Sequence, residues 1–154
     1  MRRLRKFLAL SPAGRSLVLR SLLLLPAVAA LLGTGGMGRT IAWLDRLGRR
    51  RGSGDLGVLP PEEIARLIKA AASLLRVQCL ARSLVLWHSL RARGTWSEIR
   101  FGVSKLADGS LCAHAWVELD GLALIDGPGI LGGYAVLPSF AVTRHSGHPG
   151  ALEC

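Results

Sequence analysis

Charge is scarce in this 154-residue sequence: 19% of residues are Asp, Glu, Lys or Arg, against 50% hydrophobic. Such a balance excludes a disordered chain and leaves ample apolar material for a buried core. Acids are the scarcer sign, ten against twenty Lys and Arg, and the shortage is concentrated at one end. Residues 1–51 hold eleven basic side chains and a single acid, Asp45, and so carry the whole net charge of +10. Residues 52–154 are neutral overall, which excludes a uniformly basic, histone-like or ribosomal-type protein.

Cysteines are few and odd in number, three. They supply no disulfide framework and point to a reducing, cytoplasmic setting. With no Cys-x-x-Cys and no His-x(3–5)-His pair, the ligand spacing of a zinc site is missing, and no metal is expected. The glycines form no phosphate-binding fingerprint, so no cofactor is expected either. No zinc-finger, helix-turn-helix or glycine-aromatic module accompanies the basic charge, and nucleic acid is not an expected partner. Long apolar runs are absent too. The longest, Ser21–Leu32, has 12 residues with Pro26 inside it and Arg20 at its border. A transmembrane span needs about 20, so membrane contact is not expected. Leu22–Leu25 followed by Ala27-Val28-Ala29 imitates a secretory signal, but Arg15 and Arg20 interrupt its apolar region.

What is present divides the chain in two. Residues 1–54 read as a basic, apolar helical segment. It has an N-cap at Ser11 before Pro12, a break at Gly33–Gly38, and a second helical stretch from Thr40 to Leu47. Gly52–Gly57 connects it to a body, residues 55–154, with which it is expected to form one compact unit. Pro60 and Pro61 open a helix with Glu62 and Glu63 in its first turn, and Ile64, Leu67, Ile68, Ala71 and Leu75 keep helical spacing. Another helix starts near Cys79 and ends at Gly94. Beyond it the period becomes two. Strands are expected over Glu98–Lys105, Leu111–Leu119 and Leu122–Asp126, with weaker candidates at Tyr134–Leu137 and Phe140–Thr143. Helices followed by antiparallel strands make the class α+β.

Three residues carry the chemistry. Cys79, at a helix start, meets unpaired backbone N–H groups that favour a negative sulfur and can hold an oxyanion once that sulfur attacks a carbonyl. A buried, inert cysteine is the commoner fate of a free thiol. His114 alternates with Cys112, Trp116 and Glu118 on one strand face, away from the apolar set of Ala113, Ala115 and Val117. Asp126 follows, and a general base needs such a third group to hold its tautomer. Hairpin register bears on this pairing. A two-residue Asp120-Gly121 turn sets Ala115 opposite Asp126 and leaves His114 on the other face. A three-residue loop, Leu119–Gly121, pairs Glu118 with Leu122 and sets His114 opposite Asp126. The second register is the one predicted.

Cys79-Leu-Ala-Arg-Ser-Leu84, then Gly102-Val103, then Ala113-His-Ala-Trp-Val-Glu118 with Asp126 downstream, resembles the leader peptidase of lasso-peptide biosynthesis. These are the transglutaminase-like B proteins, and the chain looks like the stand-alone protease half of a split version. The resemblance covers roughly residues 15–137. It implies a transglutaminase-like, papain-like core in which a helix bearing the cysteine packs on an antiparallel sheet, extended by N-terminal helices. It also implies a thiol-dependent peptidase that removes the leader from a ribosomally made precursor peptide. Cys79 would be the nucleophile, His114 the general base and then acid, and Asp126 the orienting carboxylate. A separate small leader-recognition protein and an ATP-dependent macrolactam synthetase are the implied partners. Arg82 and Ser83 look like motif residues, and Gln78 is a weak candidate for the oxyanion site. Acyl transfer or deamidation by the same three residues is an alternative reading, as is a non-catalytic scaffold that escorts the leader.

Overall fold

The computed structural model describes residues 5, 7–49 and 59–137. Pro12–Arg49 forms α1, Pro61–Leu75 α2 and Cys79–Ala92 α3. The sheet follows, with β1 at Glu98–Lys105, β2 at Leu111–Leu119 and β3 at Leu122–Ala123. A short helix α4, Pro128–Leu131, precedes β4 at Ala135–Val136. The strands are antiparallel in the order β3-β2-β1-β4, so the class is α+β.

Helix α3 is the centre of the molecule. Ala81, Ser83, Leu84, Val85, Leu86, Trp87, Ser89 and Leu90 are all buried, which leaves the helix apolar on nearly every side. A helix of that kind belongs between layers. On one side α3 packs against α1 and α2, through a cluster that includes Leu17, Leu25, Val28 and Leu44 of α1 and Ile64 and Ile68 of α2. On the other it meets Ile99 of β1 and Val117 of β2. Two of the hydroxyls buried along these helices bond within their own turn. Ser21 Oγ donates to Leu17 O at 2.8 Å and Ser89 Oγ to Val85 O at 2.8 Å, so both are satisfied locally.

Local signals explain the ends. Ser11 Oγ accepts from Gly14 N at 3.1 Å, the cap expected before Pro12. Pro60 precedes Pro61 at the start of α2, with Glu62 and Glu63 in its first turn. Gly94, with φ of +79°, takes the left-handed position after α3. The break expected at Gly33–Gly38 is present as a kink between two helical stretches, with the non-helical backbone confined to Gly36 (φ 69°, ψ 179°). Thr40 Oγ1 spans that kink by donating to Gly36 O at 2.9 Å. Taken across the kink, Pro12–Gly48 is long and apolar enough, by length and composition, to cross a membrane, with mean hydropathy 2.0 over its most apolar stretch. A count of uninterrupted apolar residues did not reveal this. Within the fold one face of it is buried, at Leu17, Ser21, Leu25 and Val28.

The hairpin between β2 and β3 corrects the predicted register. Glu118 pairs with Ala123 and Leu119 with Leu122, so the loop has two residues, Asp120 (φ 51°) and Gly121 (φ 78°). Positive φ at both positions is the turn whose twist matches the flanking strands, and Asp-Gly is a favoured pair for it. The strand expected to reach Asp126 stops at Ala123, and residues 124–126 bend away. The strand expected over Phe140–Thr143 lies outside the described residues.

Candidate active site

Each candidate residue owes its place to a different kind of local structure. Cys79 is the first residue of α3. Gln78 before it is extended, its side chain makes no cap hydrogen bond, and no acid lies in the first turn. The N–H groups of this turn thus face whatever approaches Cys79, with no carboxylate competing for them. Gln78 itself contributes no capping contact, and its side chain is exposed.

His114 stands on the polar face of β2. Opposite it in the ladder is Gly102 of β1, and the flanking cross-strand pairs are Arg100 with Trp116 and Ser104 with Cys112. A Cβ on Gly102 would lie 2.9 Å from Tyr134 Cβ and 3.0 Å from the Trp116 ring. Glycine at this position therefore lets both aromatics close over the strand beside the imidazole. The Trp116 ring stacks near His114 at 6.0 Å between centroids and 20° between planes, and the Tyr134 ring lies at 5.3 Å. Trp116 is anchored in turn, its Nε1–H donating to Glu118 Oε1 at 2.8 Å. Glu118 Oε2 accepts from Arg100 Nε at 3.0 Å. That contact, with the charge of Glu118 and of Glu98, holds the Arg100 guanidinium above its ordinary pKa against partial desolvation.

Asp126 is buried and meets His114 without the help of the ladder. His114 Nε2 and Asp126 Oδ2 are 3.0 Å apart. At the observed register a continued β3 would put Ala115 opposite Asp126, on the wrong face. The bend after Ala123 brings the carboxylate to the imidazole instead. With Nε2 directed at Asp126, Nδ1 is the nitrogen left to take a thiol proton. No hydrogen bond joins Cys79 to His114 in the structure; in uncomplexed sites such contacts are often long. Tyr134 joins His114 to the neighbouring Cys112. Its hydroxyl lies 3.8 Å from Cys112 Sγ. That contact foremost, then desolvation and the charge of the Cys112 thiolate, raise the phenol above its usual value, with an opposing contact from Ser104 and a further rise from the Cys79 charge. Tyr134 thus lies between the His114 ring and Cys112 Sγ.

The residues that sequence reasoning left without a role are Arg82, Ser83 and Tyr134. Arg82 Nη2 donates to Asp126 Oδ2 at 2.9 Å, and Ser83 Oγ donates to the Ala115 carbonyl at 2.9 Å. Their adjacency to Cys79 on one helix was the available signal for the first two. Tyr134 follows two glycines in a weak strand pattern and gave none. Among the described residues no group of three or more His, Cys, Asp or Glu could hold a metal ion.

A cysteine at a helix N-terminus and a histidine-carboxylate pair on an adjoining strand can together perform nucleophilic attack on a carbonyl, with the histidine moving the proton. A family model described as the transglutaminase-like superfamily matches residues 21–139. No curated protein and no solved structure matches the chain.

Proposed function

The chain belongs to the transglutaminase-like superfamily, and from that premise we propose that it is a cysteine peptidase that removes the leader from a lasso-peptide precursor. The observation that carries the catalytic part is the His114–Asp126 contact of 3.0 Å beside a helix that opens on Cys79. The choice of substrate rests on the Cys79–Leu84 and Ala113–Glu118 blocks, which resemble those of the leader peptidases.

In this reading Asp126 accepts from His114 Nε2–H and fixes the tautomer with Nδ1 free. Nδ1 takes the proton of Cys79, and the sulfur adds to the scissile carbonyl to give a tetrahedral intermediate. First-turn N–H groups of α3 face the developing oxyanion. His114 then protonates the leaving amine as the C–N bond breaks, leaving a thioester on Cys79. Water, deprotonated by the same Nδ1, adds to the thioester, and the thiol leaves with its proton restored. A separate recognition protein would present the leader, and an ATP-dependent macrolactam synthetase would take the core peptide. The proposed setting is the cytoplasm, where the thiol stays reduced.

Replacing Cys79 with Ala is the decisive test. With a lasso-peptide precursor and its leader-recognition protein, the variant is expected to yield no leader fragment by mass spectrometry, while Asp126→Asn lowers kcat by about 10⁴-fold. Cleavage by Cys79→Ala at the native rate would show that Cys79 is not the nucleophile, and no cleavage by the wild type would remove the peptidase reading.

A further inference from the structure

We propose that Arg82 is the positioning residue of this site: Arg82, not the sheet, holds Asp126 on His114. The inference rests on the peptidase reading only in that His114 and Asp126 are given work to do; the placement itself is geometric.

Asp126 lies three residues past the last strand pair, Glu118 with Ala123. Beyond it the ladder contributes a single backbone bond, Leu124 N to Val117 O at 3.1 Å. Two cations hold the bend from the helical side. Lys69 Nζ of α2 donates to the Ile125 carbonyl at 3.2 Å, an exposed contact to the backbone. Among the described lysines and arginines, Arg82 of α3 alone reaches the carboxylate, and this ion pair is nearly dry, with side chains 15% and 7% exposed. Removing one partner of such a pair leaves the other charge buried and uncompensated, so the carboxylate is expected to turn away from its present place. Exposed pairs have no comparable hold.

Two details show that the guanidinium is placed for Asp126. Its Nη2 and His114 Nε2 share one acceptor, Oδ2. Its own Nε is buried without a hydrogen-bond partner among the described residues. An arginine positioned for its own solvation would not leave a donor stranded. Arg82 also sits three residues after Cys79, less than one turn along the same helix. A single rigid element therefore carries both the candidate nucleophile and the clamp on the carboxylate. Helical geometry fixes the spacing of Cys79 and Arg82, and Arg82 reaches Asp126 although Cys79 and Asp126 lie 47 positions apart in the chain.

The test reads tautomer and thiol reactivity in the full-length protein, without any substrate. Long-range ¹⁵N–¹H NMR of wild type is expected to show His114 with its proton on Nε2. Arg82→Met is expected to show a mixture of tautomers, and to slow iodoacetamide alkylation of Cys79, followed by peptide mass spectrometry, by about 10²-fold. Arg82→Lys, which keeps a charged donor, is expected to recover part of both and serves if Arg82→Met does not fold. In an Asp126→Ala background Arg82→Met is expected to add less than about threefold, because a residue that acts through Asp126 has nothing left to act on. An unchanged tautomer and alkylation rate in Arg82→Met, or in Arg82→Lys if only that variant folds, would overturn the proposal. So would an undiminished further loss in the Asp126→Ala background. Failure of the peptidase reading shows elsewhere, as no cleavage of the precursor by the wild type, and leaves the tautomer result standing.

Discussion

The imidazole of His114 is held by contacts that come from three separate parts of the chain. Trp116 is two residues away on the same strand, Tyr134 lies beyond α4, and Asp126 is in the bend between them. Period-two alternation was enough to put His114 on the polar face, because that face follows from the apolar set opposite it. Tyr134 was not legible, since its position depends on a gap in the neighbouring strand at Gly102. That gap makes a sharp expectation. Gly102→Ala introduces a Cβ at 2.9 Å from Tyr134 Cβ and 3.0 Å from the Trp116 ring. The crowding is expected to destabilise the protein by about 1–3 kcal/mol in urea unfolding and to displace Tyr134 from His114. Loss of the Tyr134–His114 nuclear Overhauser contacts would report that displacement. An alanine variant with native stability and native contacts would show that the gap is not needed.

At the scale of elements, the sequence reading and the structure part company wherever glycine or a turn decides. Helices α2 and α3 were legible from proline, early acids and Gly94, signals that act within one turn. The β2–β3 register was misread because the three-residue loop was the one that aligned His114 with Asp126. The chain instead takes the favoured Asp-Gly turn and corrects the alignment by bending after two strand residues. The glycine stretch in α1 shows the same limit. Six residues, Gly33–Gly38, look like a break, yet only Gly36 has backbone angles that side chains avoid. Composition cannot say which glycine is the hinge. The consequence can be measured by thermal or urea unfolding. Gly36→Ala meets no atom within 4 Å but is strained at φ +69°, and should cost about 1–3 kcal/mol. Gly33→Ala and Gly38→Ala, also with nothing within 4 Å and with helical backbone, should each stabilise by about 0.5–1 kcal/mol. Destabilisation by all three alike would mean that the whole stretch, not Gly36, forms the break.

The charge asymmetry of the whole molecule set its N-terminal third apart, while the fold joins that third to the rest. Arg39 and Arg46 are exposed on α1, yet Leu17, Leu25, Val28 and Leu44 of the same helix are in the common core with α2 and α3. The superfamily match likewise begins inside α1, at residue 21. Two roles for an apolar helix of this length give opposite expectations. A helix that only anchors the chain would leave the stability of the body indifferent to its side chains. A helix that closes the core would transmit any cavity to α3, and so to the helix that begins at Cys79. Leu25, fully buried, decides between them. Leu25→Ala removes three carbons from a packed interior and should lower the unfolding free energy by about 2–4 kcal/mol, in one cooperative transition that tryptophan fluorescence from Trp87 and Trp116 follows together with the loss of helix. Unchanged unfolding of those tryptophans would assign α1 to anchoring alone. Under the expected outcome the basic surface is the outer side of a core helix, and the geometry at Cys79 depends on a segment more than fifty residues before it.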